Sequence, residues 1–252
     1  MILEALNYLA TRPLTAKPFR RFVGSSVSLW SRANRCARDW AGHEDNSKAA
    51  IRAAIADLRQ QRTAVVLGSG LLRDVPIDDL CRSFDTVVLV DLVHLASVRL
   101  RLMRRRYRNV RLIERDLSGW DDLAAGSNPD ALGFLRGVPY LDLVVSANLL
   151  SQIGIGARRR MEAGESGMPE DTVARLIAGH LDGLATLGCR TCLLTDIHLD
   201  VIDINGKRHD SVDLMHGAGL PPADDKWTWP VIPVGEESAD YQVVHTVVAV
   251  RR

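Results

Sequence analysis

Four stretches of this chain carry residues whose types and spacing could do chemistry. The first is Gly68-Ser69-Gly70, which follows the apolar run Thr63-Ala-Val-Val-Leu67. Glycines at the end of a buried run let a backbone approach a ligand where a Cβ would clash. The second is Asp91, 23 residues beyond Gly68, closing the run Thr86-Val-Val-Leu-Val. A carboxylate there can accept hydrogen bonds from two ribose hydroxyls. The third comprises Asp116-Leu117, in Glu114-Arg-Asp-Leu, and Asn148, in Ser146-Ala-Asn-Leu-Leu-Ser, each just after an apolar run. The fourth is Asp196-Ile-His198-Leu-Asp200. There His198 would act as a general base, with Asp196 or Asp200 orienting its ring. Each has a plainer reading beside it. Asp91 and Asn148 also read as helix caps, Asp116 as a turn residue, and the His198 segment as a polar turn.

Strands and helices in alternation must position these residues. The pattern predicts strands at Thr63–Leu67, Thr86–Asp91, Val110–Glu114, Leu141–Ser146 and Arg190–Asp196. It predicts a helix starting after Gly70, a short helix near Ile77–Cys81, and helices over Leu95–Tyr107 and Pro169–Leu187. Residues 155–168 read as a glycine-rich mobile loop. Asn205-Gly206 between alternating runs predicts a hairpin, and further strands follow at Lys226–Ile232 and Tyr241–Arg251. Trp227 and Trp229, two apart on a strand, share one face; core packing is the preferred role and an acceptor pocket the other. His245 reads as a hydrogen-bonded sheet histidine. Ser47 reads as the N-cap of a helix reaching about Gln61. These assignments divide the chain into an N-terminal helical cap, 1–46, and a main domain, 47–252.

The arrangement resembles the class I S-adenosylmethionine-dependent methyltransferases over about residues 50–252. The resemblance implies a doubly wound α/β fold: a mostly parallel seven-stranded sheet with antiparallel C-terminal strands, under the helical cap. It implies S-adenosylmethionine as cofactor, held by Gly68, Ser69, Gly70, Asp91, Asp116, Leu117 and Asn148. It implies methyl transfer to an acceptor, for which a small molecule is expected and the transfer is in line. The candidate catalytic residues, from their own place past the fifth strand, are His198 and Asp196, needed where the acceptor must lose a proton. Two positions depart from the family pattern. Val66 stands where an acidic residue often helps hold the methionine amino group, and Leu72 replaces the usual third glycine. Arg73 and Asp74 follow and offer another way to meet the zwitterion. Two other classes stay open. A nicotinamide-dependent oxidoreductase shares the Gly-to-acid spacing, but Arg73 stands near where its third glycine is wanted. A non-catalytic protein retaining the fold is permitted by Val66 and Leu72.

Bulk properties set the limits. A chain of 252 residues with 46% hydrophobic residues can bury a sizeable core. Its net charge of +1 gives no overall attraction to nucleic acid, although residues 1–62 hold 11 Lys/Arg against 5 Asp/Glu. Cys189 and Cys192 have CxxC spacing, but on a strand they point to opposite faces, so structural thiols are expected in a reducing cytoplasm. No metal site, nucleic-acid partner or membrane partner is expected. The sequence does not specify an oligomeric state.

Overall fold

The computed structural model describes residues 2–164 and 167–252. One sheet organises the chain. Its strands are β1 (Thr63–Leu67), β2 (Thr86–Asp91), β3 (Val110–Glu114), β4 (Leu141–Ala147), β5 (Arg190–Asp203), β6 (Arg208–Asp213), β7 (Asp225–Ile232) and β8 (Tyr241–Arg251). Seven of them run in the order β3-β2-β1-β4-β5-β8-β7, and β6 pairs with β5 off that path. Strands β1 to β5 are parallel, whereas β8 lies antiparallel between β5 and β7. The order reverses direction between β1 and β4, the point at which open α/β sheets place a ligand against the C-terminal strand ends.

The sheet is buried on both faces because its inner strands are apolar almost without interruption, β1 being buried at every position. Ala64 and Val66 face one core, with the helices α2 (Val23–Arg35), α3 (Ala37–Ala56), α4 (Ile77–Ser83) and α5 (Ala96–Arg104). Val65 and Leu67 face the other, with α6 (Trp120–Ala124), α7 (Leu150–Glu162) and α8 (Thr172–Ala185). Helix α1 (Ile2–Leu14) precedes these and packs on α2 and α5. Cys192 lies in the first core and Cys189 packs against the second. The CxxC thiols thus diverge, and burial pushes their pKa values up to about 12 and about 11.

The structure corrects four local expectations. The helix expected immediately after Gly70 does not form; residues 71–76 are turn and bend, and α4 begins only at Ile77. Leu72 takes a left-handed conformation, φ 56°, which breaks helical continuation there. Ser47 is not an N-cap. It lies buried inside α3, whose inward stripe Trp40, His43, Ser47, Ala50, Ile51 and Ala54 has helical period. The 46/47 division therefore falls mid-helix. Residues 150–162 form α7 rather than a loop, with Ile153 and Ala157 buried on one side; residues 165 and 166 of the expected loop lie outside the described residues. Finally, β5 does not stop at Asp196 but runs on to Asp203 and turns through Asn205-Gly206 into β6, Gly206 taking φ 82°.

Candidate active site at the β1–β4 crevice

The glycine turn is built by its own backbone. The N–H groups of Gly68 and Ser69 donate to Val90 O on the neighbouring strand, at 2.9 and 3.3 Å. Gly68 has φ 69°, and a Cβ there would stand 2.9 Å from Ala147 O on β4. Only glycine fits between the two strand ends. Gly70, φ 45°, then turns its N–H onto Asp91 Oδ2 at 2.7 Å. Asp91 Oδ1 accepts from Leu92 N–H at 2.7 Å. The two residues that the sequence set 21 apart are thus in direct contact. Burial pushes the Asp91 pKa up, against the pull of those backbone donors. Below it, His94 Nε2 donates to Ile113 O at 3.0 Å, and burial lowers the histidine's pKa.

Asn148 follows β4 in a left-handed conformation, φ 49°, and is buried. It joins a polar chain that crosses from the cap to the sheet. His43 of α3 lies flat against Trp229, with ring centroids 3.9 Å apart and planes 8° apart. Trp227 Nε1 donates to His43 Nδ1 at 3.1 Å. His43 Nε2 faces the Asn148 amide nitrogen at 3.3 Å, and that nitrogen also meets Asp74 Oδ2 at 2.8 Å. Burial lowers the His43 pKa to about 4, so the ring is neutral at pH 7. An indole can only donate, so the ring proton sits on Nε2. The Asn148 NH2 group donates to Asp74 Oδ2, the shorter of its two contacts, and meets His43 Nε2 at the longer one, 3.3 Å. Burial raises the Asp74 pKa.

The remaining expected residues divide. Ser69 is buried beside the turn, and its Oγ has no partner among the described residues. Asp116 accepts from Ser118 N–H at 2.8 Å, as a turn residue does, and Leu117 is a core residue. His198 and Asp196 do not form a pair. A bulge in β5 places Asp196 opposite Val247 and His198 opposite Thr246. Asp196 is buried and bonds His245 Nδ1 at 2.6 Å, whereas His198 is exposed. Arg73 pairs with Glu44, and Asp74 is held by Asn148. Trp227 and Trp229 do share a face, but His43 and Trp40 fill it. Sequence reasoning missed His43. Its spacing from Trp40 and Ser47 marks one face of a helix, but nothing in that spacing names Asn148 as its partner.

These residues fit S-adenosylmethionine at the ribose end. Each Asp91 oxygen accepts one strong backbone bond, and a carboxylate has about four acceptor sites, so capacity for ribose hydroxyls remains. At the methionine end Val66 is a core residue and Arg73 is committed to Glu44, which leaves the orphaned Ser69 hydroxyl as the nearest polar group on the turn.

No family model matches the chain, and no curated protein sequence does. Solved structures do. One is the N-methyltransferase NodS from Bradyrhizobium japonicum WM9 in complex with S-adenosyl-L-homocysteine. It is 10% identical, with a TM-score of 0.41, over 82% of this chain and 86% of that one. Another is a 1,6-didemethyltoxoflavin-N1-methyltransferase from Burkholderia thailandensis, 15% identical, TM-score 0.37, over 86% of each chain. A third is a SAM-dependent methyltransferase from Aquifex aeolicus, 9% identical, TM-score 0.37, over 80% of this chain and 89% of that one. Such superpositions are loose, and the fold rests on the strand order itself. With five parallel strands reversing between β1 and β4, and β8 inserted antiparallel before β7, the chain has the class I methyltransferase fold.

Proposed function

We propose that this protein is an S-adenosylmethionine-dependent methyltransferase acting on a small-molecule acceptor by in-line transfer. One observation carries the reading. The turn Gly68-Ser69-Gly70 closes onto Asp91 at the one place where the sheet reverses its winding, with Gly68 against Ala147 O and Asn148 alongside. A nucleoside-containing ligand is bound at such a point. The cofactor supplies an already activated methyl group, so the chain's own work is positioning. Asp91 orients the ribose. Asn148, just after β4 and bonded to Asp74, borders the cofactor and the acceptor. The four cysteines are free, in keeping with a reducing cytoplasm.

The second reading is a non-catalytic protein that retains the fold. It is favoured by the methionine end of the site, where Val66 is a core residue and Arg73 is committed to Glu44. Isothermal calorimetry against S-adenosylmethionine, S-adenosylhomocysteine and NAD(H) separates the readings. Micromolar binding of the first two alone supports the methyltransferase. Binding of NAD(H) alone points to an oxidoreductase, and silence from all three to the non-catalytic protein.

A further inference from the structure

Helix α1 is mounted inside out. Its buried residues are polar, Asn7 and Thr11. Its outward residues are Ile2, Leu3, Leu6, Leu9 and Leu14, which are 79%, 68%, 57%, 65% and 53% exposed. With 3.6 residues per turn, these five fall in one arc about 140° wide that excludes Asn7 and Thr11. A surface helix of a globular protein normally shows the reverse. The inversion has a local cause: Thr11 Oγ1 and Asn7 Oδ1 accept the first N–H groups of α5, from Ala96 and Ser97. The polar face is used as a cap, and the apolar face is left to solvent.

Helix α5 lies beside α1, with Asn7 bonding Ser97 in its first turn. Further along it Leu100 and Met103 are 44% and 72% exposed, Arg104 is exposed and Arg105 follows at its C-cap, while the Arg101 guanidinium donates to Leu71 O and Leu72 O. Large apolar side chains exposed together along one helix face point to an interaction site. Its charge selects the partner. A second copy docked two-fold on this face would add a second set of the same positive charges to the interface. An anionic surface would neutralise them. The α1 anchors are also Ile and Leu, side chains suited to acyl chains, rather than the Trp and Tyr that dominate protein interfaces.

We propose that the α1–α5 face docks on an anionic lipid bilayer. The α1 leucines enter the acyl boundary and the α5 arginines meet headgroup phosphates. Among the described residues no helix is long and apolar enough to cross a membrane; the contact is with the surface. The helix lies in the plane of the interface, about 20 Å long.

Co-sedimentation of the full chain with vesicles tests this, using phosphatidylcholine alone and phosphatidylcholine mixed with phosphatidylglycerol. The wild type should bind the mixed vesicles, bind the neutral ones far less, and release as salt rises. Leu6→Asp with Leu9→Asp should lower the partition about tenfold or more. Arg104→Glu with Arg105→Glu should abolish the preference for anionic lipid. Both side-chain pairs are exposed, so the thermal midpoint should hold, which separates lost docking from lost folding. Failure of the wild type to bind mixed vesicles overturns the proposal, as does equal binding to both vesicle types. So does a concentration-dependent dimer, seen by sedimentation velocity, that the leucine variant dissociates while neither protein binds vesicles.

Discussion

Asn7 and Ser97 exchange two hydrogen bonds across the α1–α5 contact. The Asn7 amide nitrogen donates to Ser97 Oγ at 3.1 Å, and Ser97 N–H donates to Asn7 Oδ1 at 3.3 Å. The helix α5 needs this help, because Leu95 at its N-cap brings no acceptor. Thr11 Oγ1 supplies the next bond, from Ala96 N–H at 2.9 Å. A lost N-cap costs about 1 kcal/mol. We expect Asn7→Ala and Thr11→Ala each to lower stability by about that amount. Urea unfolding followed by tryptophan fluorescence measures it. Midpoints that match the wild type would mean that α1 does not cap α5 in solution.

The contact between Gly70 and Asp91 predicts a double effect. Asp91→Ala removes the acceptor of three part-buried backbone donors, from Gly70, Leu92 and Val93. An unsatisfied buried donor costs about 1–3 kcal/mol, so the variant should unfold early. It should also bind S-adenosylmethionine about tenfold or more weakly, since a charged acceptor for the ribose is gone. Asp91→Asn keeps one oxygen and should fall between. Calorimetry and thermal unfolding on the same samples decide the role. Lower stability with unchanged affinity would make Asp91 a clamp for the turn and remove it from the ligand site.

Two buried histidines predict how stability falls in acid. Burial lowers the pKa of His43 and of His180 from the ordinary 6.5 to about 4, and His180 also bonds Ser146 Oγ at 2.9 Å. Between those values the unfolded chain takes up protons that the native protein refuses. Stability must therefore drop as pH falls from about 6.5 toward 4, by at most about 3 kcal/mol for each histidine. Asp74 acts in the opposite sense, because its raised pKa favours proton uptake on folding. His180→Phe isolates one contribution. Its deficit at pH 7, from the stranded Ser146 hydroxyl, should shrink as the pH is lowered through that window. A deficit that stays constant would show that His180 is not held neutral in the fold.

The sequence revealed most where one residue's role depends on its immediate neighbours. The parallel strands were legible from runs such as Thr63–Leu67 and Thr86–Asp91, and the glycine turn from its place between them. The Asn205-Gly206 hairpin was legible for the same reason. What escaped depends on distant partners. The continuation of β5 through Asp196 to Asp203 is imposed by pairing with β8 and β6 on its two sides, not by its own mixed residues. Ser47 has the chemistry of a cap, yet the buried stripe of α3 overrides that preference. His43 meets Asn148 over 105 residues of sequence, and no local pattern encodes such a meeting. The inversion of α1 was hidden too, since Asn7 and Thr11 look like surface residues until α5 is placed beside them.

The bulge at Ile197 separates the two residues whose spacing suggested a catalytic pair. On a regular strand Asp196 and His198 would share a face. The extra residue turns them apart, so Asp196 reaches His245 and His198 meets solvent. Substituting the two should therefore give unlike results. His198→Ala should change stability by less than about 0.5 kcal/mol, as exposed substitutions do, and should leave cofactor affinity and transfer rate as they were. Asp196→Ala strips His245 of its buried hydrogen-bond partner and should cost about 1–3 kcal/mol, with Asp196→Asn recovering part because it can still accept a bond. Any loss of transfer in the Asp196 variants should follow the fraction unfolded rather than a change in the pH profile. A His198→Ala protein that folds normally, binds S-adenosylmethionine normally and no longer transfers would restore His198 as the base. It would then require the outer half of β5 to rearrange when the acceptor binds.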